Sequence, residues 1–203
     1  MEKCMDDAMV VYAQNGEALR PGQGYPLRLL LPGFEGNANV KWLERLHVTD
    51  APAMSSQETA HYTDSMPDGK ARQFTFVQDA NSVITRPSGG QKVSGGAGFV
   101  EISGIAWSGN GKVKRVEVSM DGGKTWGDAA LEEPVLSKAL TRFRIPWAWD
   151  GKEAVIQSRC TDETGFLQPT HDELIDARGS NSGYHYNAIK PWRVGADGSV
   201  THV

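Results

Sequence analysis

The chain has 203 residues, a formal net charge of −4 and an isoelectric point near 5.7, so its bulk charge does not favour nucleic acid or other polyanions. Hydrophobic residues make up 39% of the sequence, which is enough for one good core and part of a second. No apolar run approaches the roughly 20 residues that a membrane-spanning helix needs.

Targeting and metal-binding signals are sparse. Charges at Asp6 and Asp7 interrupt the region where a secretory signal peptide would be apolar. The two cysteines, Cys4 and Cys160, form no CxxC pair and no zinc or haem spacing. We therefore expect buried or bystander thiols and assign no metal ligand.

The first fifty residues predict short strands and no complete domain. A helix is predicted from Glu2, a short strand over Val10–Ala13, and a turn at Gln14–Glu17 because Asn-Gly accepts positive φ. Leu27–Leu31 is a short apolar run closed by Pro32-Gly33, which is typical of a buried strand. Val40–Val48 alternates and predicts another strand.

Residues 49–92 show no sustained periodicity, which indicates a functional segment or a connection between domains. Phe74–Val77 is predicted to be a short strand. From Val93 onward apolar residues alternate along several segments, each ended by turn residues, as in Phe143–Trp149 and Ala154–Cys160. The sequence thus predicts a mainly β protein whose C-terminal part is an Ig-like antiparallel β-sandwich.

Arg28 interrupts the apolar run, and a buried guanidinium needs an anionic partner. Lys41 follows a loop rich in Gly and Asn, which can turn backbone N–H groups toward one point. Two interpretations are open: a cradle for a phosphate or a pterin, or one internal salt bridge with a solvated lysine.

The whole string GYPLRLLLPG followed by NVKWL resembles the molybdopterin-binding segment of the sulfite oxidase family of molybdenum enzymes. The resemblance implies that Arg28 and Lys41 contact the cofactor, including its phosphate, and that Asn39 and Val40 contribute backbone contacts. Gln23 stands where animal members have a histidine; glutamine can hydrogen-bond but cannot carry charge.

A second resemblance covers the other half. The strings ITRPSGG, GIAWSGNGKVKRVEVSMDGGKTW, RFRIPWAW and SRCTDETGFLQP are similar to the dimerisation domain that follows the molybdenum domain in this family. The implied domains are residues 1–80, the C-terminal part of an α+β molybdopterin-binding domain with its connecting segment, and residues 81–203, the dimerisation domain. The Phe166–Tyr186 segment, interpreted as a loop, is a predicted source of the dimer interface. GFEGNANVKWL and Met54–Gly69 resemble the sulfane dehydrogenases of bacterial sulfur oxidation (Sox).

The implied function is oxidation of a reduced sulfur compound of the sulfane sulfur or sulfite class, free or carried on a protein. A molybdenum-molybdopterin cofactor would pass the electrons to a c-type cytochrome, in a periplasmic homodimer. In the family the metal-ligand cysteine lies in the first part of the catalytic domain, well before the pterin segment. Cys4 comes too late in that order and Cys160 lies on a sandwich strand, so the resemblance carries the ligand over to neither. We expect the chain to be a C-terminal portion that is inactive alone, and assign no catalytic residue.

Two further patterns bear on function. Asn187–Val194 covers the region where animal members place a substrate-binding arginine, and the ungapped match puts Pro191 at that position. Ser119–Trp126 fits the Asp box of propeller proteins, but it occurs once where a propeller repeats it, so a local hairpin is predicted. A cofactor-free Ig-like interaction domain stays the alternative function.

Overall fold

The computed structural model describes residues 2–93, 96–180 and 183–203. The chain divides into two compact units. The first comprises Met1–Gln78 together with Arg178–His185, and the second comprises Asp79–Ala177 together with Tyr186–Val203. The return of residues 178–185 to the first unit was not predicted. Whether residues 1–80 and 81–203 fold as separate domains stays a prediction.

The first unit is built from short elements. They are α1 (Glu2–Asp6), β1 (Met9–Val11), β2 (Ala13–Gln14), β3 (Glu17–Ala18), β4 (Arg28–Leu30), β5 (Asp64–Ser65) and β6 (Ala71–Arg72), with 3-10 turns at Pro21–Gln23 and Gly183–His185 and a π-helical turn at Gln57–His61. β1 pairs antiparallel with β4, and β2 pairs with β3. The predicted Asn-Gly turn is confirmed, because Asn15 and Gly16 join β2 to β3 with φ values of 53° and 81°.

Two strand predictions in this unit are wrong. Residues 40–48 form no strand, and Val40, Trp42, Leu46 and Val48 are exposed. Phe74–Val77 makes only an isolated bridge from Val77 to Phe34. Phe74 and Phe76 have φ values of 56° and 50°, a left-handed conformation that regular strand geometry does not contain.

The strands of the second unit form two antiparallel sheets. Its strands are β7 (Asn81–Arg86), β8 (Gly98–Trp107), β9 (Val113–Ser119), β10 (Gly127–Asp128), β11 (Ala130–Leu131), β12 (Thr141–Trp149), β13 (Ala154–Asp162), β14 (Trp192–Val194) and β15 (Val200–His202). One sheet has the order β10-β9-β13-β14-β15 and the other has the order β11-β12-β8-β7. This arrangement confirms the predicted mainly β, antiparallel fold.

One apolar cluster fills the space between these two sheets. Ile102 and Phe143 enter it from the four-stranded sheet, and Val116, Val118 and Ile156 enter it from the five-stranded sheet. All five are 0% or 1% exposed. This burial follows from the alternation of side chains along each strand. On β13, for example, the buried residues Ile156, Ser158 and Cys160 occupy every second position.

The prediction that Phe166–Tyr186 is loop-like is wrong, because the helix α2 (His171–Arg178) lies within it. Thr170 and Glu173 form a capping box at the start of this helix. The Thr170 N–H donates to Glu173 Oε2 at 2.8 Å, and the Glu173 N–H donates to Thr170 Oγ1 at 3.3 Å. Residues 181 and 182 of the segment lie outside the described residues.

Within the described part of the chain, no helix combines the length and the apolar character needed to cross a membrane.

Candidate functional site

The structure brings the two motif segments together side by side in the first unit. The Leu29 N–H donates to the Val40 carbonyl at 2.9 Å, and the Leu43 N–H donates to the Leu27 carbonyl at 2.8 Å. Gly24 has a φ of 113°, and a Cβ placed on it would lie 3.1 Å from the Cβ of Lys41. Glycine is therefore needed here both for the backbone conformation and for the close approach of the lysine segment.

Arg28 lies on β4 and is half-buried. Its Nε atom is buried and has no hydrogen-bond partner among the described residues. No carboxylate in the described ranges forms an ion pair with this side chain, so the internal salt bridge considered above is not formed. A buried charged donor without a partner is costly, and an anion bound here would supply that partner.

Lys41 is exposed and lies directly beside the Gly24 turn. Its Nζ donates to the Gly22 carbonyl at 3.1 Å and lies 4.6 Å from the centroid of the Trp42 ring. An ammonium group carries three N–H donors, so these contacts leave capacity for an anion. Trp42 has a φ of 53°, which is uncommon for a bulky residue, and its indole N–H donates to the Pro21 carbonyl at 2.9 Å.

Asn39 is buried, and its side chain braces the loop that joins the two motifs. Its Oδ1 accepts from the Leu31 N–H at 2.7 Å, while its Nδ2 donates to the carbonyls of Phe34 and Glu35 at 3.2 and 2.8 Å. The asparagine side chain thus fixes loop shape, a role that the resemblance did not assign. The predicted backbone contacts of Asn39 and Val40 with a cofactor stay predictions.

Gln23 is exposed at the end of the 3-10 turn, and its backbone N–H donates to the Arg20 carbonyl at 2.9 Å. The five predicted site residues, Gln23, Arg28, Asn39, Val40 and Lys41, therefore lie on two segments that the structure pairs. Only Arg28 presents an unpartnered buried donor.

Glu35, a residue that sequence reasoning missed, lies in the same loop and is 3% exposed. Its carboxylate accepts from the Thr75 hydroxyl at 3.1 and 3.2 Å, and its Oε1 lies 2.7 Å from Nδ1 of His185. Burial raises the pKa of the nearby Tyr62, with further contributions from the charge of Glu35 and from Tyr184. No sequence spacing could have found this cluster, because its members come from distant parts of the chain.

No group of three or more His, Cys, Asp or Glu residues in the described ranges could hold a metal ion. Cys4 is exposed on α1, and Cys160 is buried on β13. Burial raises the pKa of the Cys160 thiol to about 12, and the charge of Asp162 adds to this effect. Cys160 thus stays protonated, and a protonated thiol is a poor metal ligand.

The second unit holds Asn187–Val194, the segment that the family resemblance relates to substrate binding. Lys190 donates to Asn81 Oδ1 at 2.8 Å and to the Ala188 carbonyl at 3.0 Å, and burial lowers its pKa to about 8. Arg193 is exposed on β14.

The Asp box is a local hairpin. Asp121 accepts from the N–H groups of Lys124 and Thr125 and from the Thr125 hydroxyl, so its hydrogen bonds close the turn after β9. These hydrogen bonds hold the pKa of Asp121 well below its usual range. The Asp121 carboxylate thus accepts its hydrogen bonds from residues of the same turn.

Comparison with known protein families identifies both parts of the chain. Residues 72–191 match the Mo-co oxidoreductase dimerisation domain, and residues 1–57 match the oxidoreductase molybdopterin binding domain. The chain belongs to the molybdopterin oxidoreductase family. The family predicted from the GYPLRLLLPG and NVKWL motifs is confirmed, and with it the cofactor class, a molybdenum-molybdopterin group.

The relatives of this chain include a nitrate reductase and a sulfite oxidase. The chain is 33% identical to the tomato (Solanum lycopersicum) nitrate reductase [NADH], over 80% of this chain and 21% of that protein. It is 33% identical to rat (Rattus norvegicus) mitochondrial sulfite oxidase, over 80% of this chain and 32% of that protein. The chain therefore spans at most about a third of these two curated relatives.

A solved structure is more similar. The crystal structure of the sulfane dehydrogenase SoxCD from Paracoccus pantotrophus superimposes with a TM-score of 0.96 at 53% sequence identity. The match covers 100% of this chain and 52% of the Paracoccus chain. This sequence identity of 53% is higher than the 33% identity to the sulfite oxidase or to the nitrate reductase named above.

Proposed function

We propose that this chain is part of a molybdopterin-dependent oxidoreductase that oxidises a reduced sulfur compound of the sulfane sulfur or sulfite class. The observation that carries the proposal is the buried, unpartnered Nε of Arg28 within a motif of the molybdopterin family. The 53% identity to a structure titled sulfane dehydrogenase supports this substrate class over nitrate.

The residues of the first unit would hold the cofactor by charge and by shape. Arg28 and Lys41 would each donate to phosphate or pterin oxygens, Gln23 would add a neutral hydrogen bond, and the backbone at Asn39 and Val40 would complete the cradle. When bound, the cofactor supplies oxygen-atom transfer and two-electron redox chemistry at molybdenum. The part of this chain is to bind the pterin and fix its position.

We further propose a homodimer formed through the second unit, a c-type cytochrome as electron acceptor and a periplasmic location. The match of residues 72–191 to a dimerisation domain supports the homodimer. The cytochrome and the location rest on the family resemblance and on the likeness to SoxCD.

The first experiment replaces Arg28 and Lys41 with alanine in the cofactor-loaded protein that contains this chain. A charge-assisted hydrogen bond contributes about 1.5–3 kcal/mol, so the double variant should lose most of its molybdenum while staying folded. Molybdenum per protein is measured by elemental analysis and folding by circular dichroism. Arg20→Ala, which removes an exposed arginine near Glu17, is the matched control and should keep its metal. Full molybdenum occupancy in the double variant would show that Arg28 and Lys41 do not hold the cofactor.

A further inference from the structure

The loop between the two motifs contains a buried acid that the cofactor contacts proposed above do not use. We define residues Gly33–Val40 as the cofactor loop. Glu35 is fixed in it by its backbone as well as by its side chain: its N–H donates to the Phe76 carbonyl at 2.6 Å, and its carbonyl accepts from Asn39 Nδ2 at 2.8 Å. The Glu35 backbone thus contacts Asn39, and the Asn39 side chain in turn accepts from the Leu31 N–H.

The partner of the Glu35 carboxylate comes from the far end of the chain. His185 Nδ1 lies 2.7 Å from Glu35 Oε1, and the two side chains are 6% and 4% exposed. The contact is ionic when the imidazole is protonated, and it lacks the alignment of a hydrogen bond. A carboxylate taken out of water needs such a partner, so removal of either residue leaves the other in an unfavourable site.

A second buried ion pair holds the other end of the same segment. Arg178 Nη1 lies 2.7 Å from Asp64 Oδ2, with side chains 9% and 3% exposed. Next to it, Gly179 has a φ of 78°, and a Cβ there would lie 1.8 Å from the Ser65 carbonyl oxygen. Among the described residues, Arg178 at one end of this segment pairs with Asp64, and His185 at the other end contacts Glu35 of the cofactor loop.

We propose that Glu35 and His185 form a positioning pair that holds the cofactor loop in the shape required to bind the molybdopterin. The inference rests on the proposed function. The chain of contacts runs from His185 to Glu35, from Glu35 to Asn39, and from the Val40 carbonyl to the Leu29 N–H, next to Arg28. Through these contacts the pair determines where Arg28 and Lys41 lie relative to each other, and its members are positioning residues.

The test compares Glu35→Gln, His185→Ala and His185→Gln with Asp64→Asn in the cofactor-loaded protein. Asp64→Asn is the matched control, because it breaks a comparably buried pair that holds the other end of the 178–185 segment. Molybdenum per protein, the rate of cofactor loss on dilution, the absorption spectrum of the bound cofactor and Tm are measured. Mutation of residues that orient a ligand set typically weakens binding 10–100-fold, so Glu35→Gln and His185→Ala should accelerate cofactor loss by about 10-fold or more.

Asp64→Asn should lower Tm to a similar extent and leave both the rate of cofactor loss and the spectrum unchanged. His185→Gln, whose amide can still reach Glu35, should restore much of the retention lost in His185→Ala. Should Glu35→Gln fail to fold, Thr75→Val removes one hydrogen bond to the same carboxylate and should give a smaller acceleration.

Equal cofactor loss in Asp64→Asn and Glu35→Gln would overturn the inference, because the pair would then act only through stability. Unchanged retention in Glu35→Gln would overturn it as well. The Arg28 and Lys41 double variant separates the two proposals. If it loses molybdenum while Glu35→Gln does not, only the positioning pair is wrong; if neither loses molybdenum, the cofactor-binding roles proposed for Arg28 and Lys41 are wrong as well.

Discussion

At the scale of single residues, burial decides which ionisable side chains can react. Cys4 is exposed, whereas Cys160 is 0% exposed and its thiol has its pKa raised to about 12. The thiolate is the reactive form of cysteine. In the native protein at pH 8 we expect one thiol per chain to react rapidly with a disulfide reagent, and the second only after unfolding in urea.

The Cys4→Ser variant checks this assignment, since its native form should show no fast thiol. Raising the pH to 10 should still leave Cys160 protonated and slow, because its pKa lies above that value. Rapid reaction of both thiols in the native wild type would mean that β13 is open to solvent.

Among single residues, Arg28 could be identified from the sequence because a charged residue within an apolar run is unusual. The sequence did not identify Glu35, although Glu35 lies in the motif GFEGNANVKWL. The reason is physical: the partners of Glu35 are Thr75 and His185, and their approach depends on tertiary structure. Asn39 was found through the family motif, but its bracing role depends on loop geometry that a motif does not contain.

At the scale of elements, close backbone approach fixes β8 between its neighbours. Gly104 pairs with Phe143 on β12 and with Ile84 on β7, and a Cβ there would lie 2.2 Å from the Val83 carbonyl oxygen and 2.4 Å from Phe143 Cζ. Gly104→Ala should therefore lower the free energy of unfolding by about 1–3 kcal/mol, the range for overpacking a core.

Gly98→Ala is the matched control, because Gly98 lies on the same strand and nothing lies within 4 Å of its added Cβ. Urea unfolding of the two variants should give a change within about 0.5 kcal/mol for Gly98→Ala. Similar stability losses in both would show that strand propensity, and not the contact with Val83 and Phe143, governs the effect.

Strands were predictable from the sequence where a segment with an alternating hydrophobic pattern also has a neighbouring strand to pair with. The alternation of apolar residues on β12 and β13 predicted strands correctly, because each segment pairs with a neighbouring strand and packs its apolar residues against the core. Val40–Val48 also alternates, but the described residues offer it no strand ladder, so alternation alone was insufficient. The helix α2 carried its own signal, the Thr170-x-x-Glu173 capping box, which outweighed the surrounding loop-like composition.

At the scale of the whole molecule, self-association of the second unit is the main prediction. The match to a dimerisation domain supports it, and two-fold pairing needs a self-complementary surface. The Phe166–Tyr186 segment exposes apolar side chains at Phe166 and Leu167, which are 39% and 44% exposed. If this segment lies in the interface, these residues lose their solvent contact on pairing.

We expect the 203-residue chain to sediment as a dimer at tens of micromolar in analytical ultracentrifugation. A stable interface buries roughly 1,200–2,000 Å² in total, with energetically dominant residues near its centre. Replacing Phe166 and Leu167 with serine should weaken the dimer, because it removes apolar area from the predicted interface.

Phe99→Ser is the control, because Phe99 is 76% exposed and lies on β8, outside the segment. If Phe99→Ser dissociates the dimer and the Phe166 and Leu167 variant does not, pairing uses the four-stranded sheet instead. A wild-type chain that is folded and monomeric at these concentrations would contradict the homodimer itself, leaving the sandwich to serve the cofactor-binding part of the protein without pairing.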